Sequence, residues 1–74
     1  MSKLPSLTGE VIIKALLKAG FVLARQKGSH AYLKHPDGRT TVVPVHKGET
    51  IGRGLLRKII RDVEMERDDF LNLL

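Results

Sequence analysis

The residues best suited to chemistry gather in one short stretch, QKGSHAYLKH at residues 26–35. His30 follows a Gly-Ser pair and begins an alternating run of polar and apolar residues. An imidazole has an unperturbed pKa of ~6.5, so it can remove and return a proton near neutral pH. A second stretch, VVPVHKG at residues 42–48, contains His46 and Lys47. The pattern is compatible with proton transfer beside positive charges, but also with a histidine that packs or binds a ligand.

Two other kinds of site are disfavoured. The three histidines, His30, His35 and His46, are dispersed and have no carboxylate at ligand spacing, so we predict no metal and no cofactor. Ser29 directly precedes His30, but adjacent strand residues point to opposite faces and no acid completes a triad, which argues against a serine hydrolase. His35 stands beside a Pro-Asp-Gly turn and is expected to be a solvated loop residue. His46 is either a structural cap or a substrate contact.

Length and charge narrow the class of protein. A chain of 74 residues, 42% of them hydrophobic, forms a single domain with a small core, over residues 1–74. Residues 1–62 carry 12 basic and 4 acidic side chains, whereas residues 63–74 carry 1 basic and 4 acidic ones. A basic body suits a polyanionic partner such as nucleic acid, although it could also serve solubility alone. No apolar stretch reaches the ~20 residues of a membrane span, so we expect a soluble, cytoplasmic protein.

Two helices are predicted, one near each end of the chain. The first covers residues 8–19, with Thr8 as N-cap and Gly20 in the left-handed position at its end. Its candidate core residues are Val11, Ile12, Ala15, Leu16 and Ala19. The second runs from near Gly52 to about Val63, and a short helical turn after it docks Phe70 and Leu71. The Gly-Arg-Gly stretch at residues 52–54 could hold a phosphate or could simply begin the helix.

Three strands are predicted between the helices: FVLARQ, HAYLK and TTVVPV. A tight turn at residues 28–29 and a Pro-Asp-Gly turn at residues 36–38 join them into an antiparallel meander. The fold class is therefore α+β, an α-β-β-β-α two-layer sandwich with both helices on one face of a three-stranded sheet. This order matches the double-stranded-RNA-binding fold.

Alternation along the strands assigns side chains to the two faces of the sheet. Ala31 and Leu33 are expected to face the helices, because they form the cleaner aliphatic set. The opposite, uncovered face then carries polar side chains, and two lysines stand close to its histidines in the sequence. These residues are His30, Tyr32, Lys34 and His46, with Lys27 and Lys47 nearby.

Nearly the whole chain resembles the HicA-type toxins of toxin–antitoxin pairs. The matching pieces are LPSLTG, LLKAGF, QKGSHAYLKHPDGR, VVPVHKGE and GLLRKIIRD. The resemblance implies a double-stranded-RNA-binding-like fold and cleavage of mRNA. The family's catalytic histidine follows the Gly-Ser pair, which corresponds to His30. It also implies a HicB-type antitoxin that covers the active face and usually carries a DNA-binding segment.

The resulting functional hypothesis is a metal-independent endoribonuclease with His30 as general acid or base. Lysines would hold the scissile phosphate, Tyr32 would stack on a base or steady the backbone, and His46 is the candidate second proton-transfer group. The expected RNA contacts are Lys27, Gly28, Ser29, Tyr32, Lys34, His46 and Lys47. Two alternatives stay open: a non-catalytic RNA-binding module of the same fold, and a module that binds only a protein partner.

Overall fold

The computed structural model describes residues 4–74 and contains three helices and two sheets in that range. The elements in chain order are β1 (Leu7–Thr8), α1 (Gly9–Lys18), β2 (Val22–Lys27), β3 (His30–Lys34), β4 (Thr40–Pro44), β5 (Thr50–Ile51), α2 (Arg53–Asp62) and α3 (Arg67–Leu71). Strands β2, β3 and β4 form the predicted antiparallel meander. The α+β fold is confirmed. None of the helices in the described range is long and apolar enough to cross a membrane.

A second, two-stranded sheet was not predicted. Strands β1 and β5 pair antiparallel, with Leu7 opposite Ile51 and Thr8 opposite Thr50. Each strand has only two residues, which is too short for alternation to be recognised in the sequence. The pair ties the segment before α1 to the segment before α2, so the two helices begin side by side.

Helix α1 begins as predicted. The Oγ1 atom of Thr8 accepts a hydrogen bond from the backbone N–H of Val11 at 3.3 Å, and Gly20 adopts a φ of +96° after the helix ends. The side chain of Val11, however, is 40% exposed and does not join the core. Successive helical residues are rotated by ~100°, so the neighbouring Ile12 takes the buried position instead.

The core lies between the helices and one face of the sheet. Its sheet side is formed by Ala31, Leu33, Thr41 and Val43, all of which are buried. Its helix side is formed by Ile12, Ala15, Leu16, Leu56, Ile59, Ile60, Val63 and Phe70. Phe70 is fully buried and Leu71 packs against the cluster, which confirms the predicted docking of the tail. The buried hydroxyl of Thr41 donates a hydrogen bond to Asp62 Oδ2 at 3.1 Å, so this polar group keeps a partner.

His35 is not the solvated loop residue that the sequence predicts. Its side chain is only 20% exposed, and its ring meets the buried ring of Phe21 edge-on with centroids 5.0 Å apart. Its Nδ1 atom accepts a hydrogen bond from the backbone N–H of Asp37 at 3.1 Å. A Cβ atom added at Gly20 would lie 3.0 Å from the Nε2 atom of His35, so the ring packs closely against this glycine. The turn folds back over Phe21, and His35 fills the space beside that ring.

Arg39 fixes the other end of the same turn. Its guanidinium lies 5.1 Å from the centre of the Phe21 ring and pairs with Asp37 through Nε at 2.8 Å. Its Nη1 atom donates to the carbonyl of Val63 at 2.6 Å, which links the turn to the end of α2. The backbone N–H of Arg39, followed by its side chain, stabilises the carboxylate and lowers the pKa of Asp37 from its ordinary value.

We predict that His35→Ala destabilises the protein by about 1–3 kcal/mol, because it removes a packed ring and a hydrogen-bond acceptor. The free energy of unfolding, measured by urea titration, checks this. His46→Ala is the matched control, since it removes an exposed histidine and should change stability by less than about 0.5 kcal/mol. Equal stability of the two variants would contradict the packed role of His35.

Candidate functional site

The uncovered face of the three-stranded sheet carries most of the predicted site residues. Directly opposed residues of an antiparallel pair project to the same face, so the register identifies the members of this face. We call it the open face. It consists of Val22, Arg25 and Lys27 on β2, His30, Tyr32 and Lys34 on β3, and Thr40, Val42 and Pro44 on β4. The structure thus places His30, Tyr32 and Lys34 together on the side away from the helices, with no acidic residue among the nine positions.

His30 is the first residue of β3 and lies between Lys27 on β2 and Pro44 on β4. The two-residue turn before it has Gly28 at a φ of +58°, which such a tight hairpin turn requires. The carbonyl of Ser29 accepts a hydrogen bond from the backbone N–H of Val45 at 2.6 Å, which anchors the turn to the chain after β4. The backbone that carries His30 is therefore held from both sides.

The side chain of His30 remains available. It is exposed, and within residues 4–74 its ring makes no hydrogen bond or ion pair. His35, by contrast, uses its ring for packing and hydrogen bonding. An exposed imidazole on a fixed backbone, without a protein partner, is free to exchange a proton with a bound molecule.

The predicted lysines do not converge on one point. Lys27 lies directly across from His30, but Lys34 is at the far end of β3. Four residues at the strand rise of ~3.3 Å put their backbones roughly 13 Å apart. Both lysines are exposed. Lys27 can therefore serve a phosphate that contacts His30, whereas Lys34 can only reach a different part of an extended ligand.

His46 and Lys47 follow β4 at the same end of the sheet as His30. The chain continues from Pro44, which is opposite His30, past the turn at Ser29. The side chains of His46 and Lys47 are both exposed. The backbone carbonyl of His46 accepts from the N–H of Glu49 at 2.9 Å, but in the described residues its ring makes no hydrogen bond. The ring does not cap the strand, so the structure gives no contact that supports a structural role for it.

Arg25 is a member of the open face that the sequence analysis missed. It lies opposite Tyr32, with its guanidinium carbon 5.4 Å from the centre of the half-buried Tyr32 ring. A signal for it was present: the turn at residues 28–29 sets Lys27 opposite His30, and two residues further back along the strand is Arg25.

Other charged regions lie away from the open face. Arg53, Arg57 and Arg61 are exposed on α2, which belongs to the helix layer on the other side of the sheet. A surface hollow lined by residues 37–39 and Glu64 lies at the opposite hairpin. No group of three or more metal-ligating side chains occurs in residues 4–74.

Comparison with known proteins gives a family for this arrangement. The family model described as HicA toxin of bacterial toxin-antitoxin matches residues 9–65. The match extends from α1 through α2 and includes all three strands of the open face. A comparison with curated proteins finds no match to this chain. Because the family model covers well over half of the 74 residues, the chain belongs to the HicA toxin family of bacterial toxin–antitoxin systems.

Proposed function

We propose that this protein is the toxin of a type II toxin–antitoxin system and cleaves mRNA as a metal-independent endoribonuclease. The observation that carries the proposal is the position of His30, which is exposed, makes no hydrogen bond or ion pair through its ring within residues 4–74, and is directly opposite Lys27. Family membership supports a role as a toxin, and the basic open face supports an RNA ligand.

RNA brings its own nucleophile, so the protein has little chemistry to supply. The 2′-hydroxyl oxygen attacks the adjacent phosphorus and loses its proton, while the bond from phosphorus to the 5′-oxygen of the next nucleotide breaks and that oxygen gains a proton. His30 performs one of these two proton transfers, as base or as acid, and His46 is the candidate for the other. The products are a 2′,3′-cyclic phosphate and a 5′-hydroxyl. Lys27 and Lys47 stabilise the charge that develops on the phosphate.

The proposed partner is a HicB-type antitoxin that covers the open face in the cytoplasm. One face of the sheet is already occupied by the helices, so a protein that inhibits cleavage by occlusion has to bind the other one. Contact with the open face would exclude RNA from His30 directly.

We predict that His30→Ala lowers the cleavage rate by roughly 10²–10⁴-fold, the usual effect of losing one acid–base group. Stability should change by less than about 0.5 kcal/mol, because an exposed ring leaves no cavity. Cleavage of RNA by the parent and the variant, measured with EDTA present and alongside thermal unfolding, checks both statements. Arg57→Ala, on the helix layer, is the control and should cut at the parent rate.

Two results would contradict the catalytic assignment. A folded His30→Ala variant that cuts RNA at the parent rate would shift the role to another residue, with His46 next to test. A parent protein that binds RNA but never cuts it would favour the non-catalytic RNA-binding module.

The positions of the lysines predict different effects on cleavage. Lys27→Ala should lower kcat, because Lys27 faces His30 and the reacting phosphate, whereas Lys34→Ala should mainly raise KM. Each substitution should also reduce the slope of log affinity against log salt by about 1, as expected for one lost phosphate contact. Steady-state kinetics and binding over a salt series measure these effects. Equal losses of kcat in the two variants would contradict the proposed position of the phosphate.

Occlusion by the antitoxin can be tested with single cysteines, because the chain has none of its own. Lys34→Cys places a thiol on the open face, and Arg57→Cys places one on the exposed side of α2. Adding the antitoxin should slow maleimide labelling at position 34 and leave labelling at position 57 unchanged. Protection at position 57 alone would mean that inhibition is indirect.

A further inference from the structure

An irregularity in the sheet determines where Arg25 points. The register between β2 and β3 shifts between Leu23 and Arg25, so Ala24 is an extra residue, a β-bulge. Leu23 is opposite Leu33, which faces the helices, while Arg25 is opposite Tyr32 on the open face. In a regular strand, residues two apart share a face, and Leu23 and Arg25 would point the same way. The bulge allows the leucine to face the helices and the arginine to face outward.

The exposed Arg25 and the half-buried Tyr32 together present two planar groups on the open face. The guanidinium lies 5.4 Å from the ring centre, within the range of a cation–π contact. All six residues of β2 are exposed, and the helices of residues 4–74 pack on the opposite side of the sheet. The ion pairs of the described residues lie at the 35–39 turn and on α2, and Arg25 is not a member of them. Within residues 4–74 its side chain makes no hydrogen bond or ion pair, and its guanidinium lies against the Tyr32 ring.

This pair of side chains lies one step along the strands from the proposed cleavage site. Lys27 and His30 are opposed, and Arg25 and Tyr32 are the next opposed pair on the same face. Two residues along a strand correspond to roughly 7 Å. An extended nucleotide can bridge that distance, so a base next to a phosphate held at His30 and Lys27 can reach Arg25 and Tyr32.

We propose that Arg25 and Tyr32 form a stacking site for the unpaired base adjacent to the phosphate bound at His30. This rests on the proposed function, in that the ligand is RNA. Aromatic rings and guanidinium planes are the groups on which proteins stack unpaired bases. A base inside a duplex has both of its faces covered by its neighbours. The site therefore selects single-stranded segments, and Arg25 contributes through its planar shape as well as through its charge.

The test uses a short single-stranded oligouridine that contains one 2-aminopurine, with fluorine in place of every 2′-hydroxyl so that it cannot be cleaved. The fluorescence of 2-aminopurine falls when the base stacks. On binding to the parent protein we expect quenching, and an unlabelled duplex of the same sequence should compete for this binding much more weakly than the unlabelled single strand. Arg25→Lys keeps the charge but removes the planar group, and it should lose most of the quenching and raise Kd by roughly tenfold.

Matched variants separate stacking from charge and from general damage. Tyr32→Phe keeps the ring and should behave as the parent, whereas Tyr32→Ala should behave as Arg25→Lys. Arg57→Lys makes the same exchange on the helix layer and should change neither quenching nor Kd. With a cleavable RNA, Arg25→Lys should raise KM and leave kcat within a factor of about two.

Three outcomes would overturn the stacking site: no quenching by the parent, equal quenching and Kd in the parent and Arg25→Lys, or equally strong competition by the unlabelled single strand and the unlabelled duplex. Because the fluorescent RNA cannot be cut, these results do not depend on catalysis. A parent protein that quenches but does not cut would refute the proposed cleavage and leave the stacking site in place. One that cuts without quenching would refute the stacking site alone.

Discussion

The packing of the helices against one side of β3 determines the arrangement of the whole molecule. Ala31 and Leu33 are almost completely buried beneath α1 and α2, and the pleat then forces His30, Tyr32 and Lys34 outward. The backbone register extends this assignment to both neighbouring strands. It places Lys27 and Arg25 of β2 and Pro44 of β4 on the same face as His30. The chemistry of the open face is thus a consequence of two apolar residues that take no part in it.

The helix starts reinforce this one-sided packing. A Cβ at Gly9 would collide with the carbonyl of Pro44, so α1 begins in direct contact with the end of β4. The β1–β5 pair joins the segments before α1 and α2. The same end of the sheet carries the turn at Ser29 and the residues that follow β4, held by the hydrogen bond from Val45. The surroundings of His30 are therefore rigid at the backbone, while the side chains above the sheet have room to meet a ligand.

The sequence predicted the features that rest on regular repetition. The faces of β3 follow from strict alternation, α1 follows from its Thr8 cap and the spacing of its apolar side chains, and α2 follows from that spacing alone. It did not predict features that depend on contacts between distant residues. His35 is packed because Phe21, 14 positions earlier, presents its ring to the turn, and nothing local indicates that contact. The bulge at Ala24 interrupts the alternation on which the assignment of faces depends. The roles of the site residues stay predictions, because a position on an open face does not by itself specify a reaction.

Strand β2 has a further consequence for the protein before it meets any ligand. It is one of the two edge strands of the three-stranded sheet, it is exposed along its entire length, and it begins with the exposed apolar residues Val22 and Leu23. Such an edge can pair with the same strand of another molecule and start aggregation, and natural sheets prevent this with charged side chains and bulges. Here the bulge at Ala24 and the charges of Arg25 and Lys27 occupy the second half of the strand. The charged groups that we assign to RNA binding are therefore also expected to oppose edge-to-edge pairing, and loss of these charges is expected to reduce solubility as well as binding.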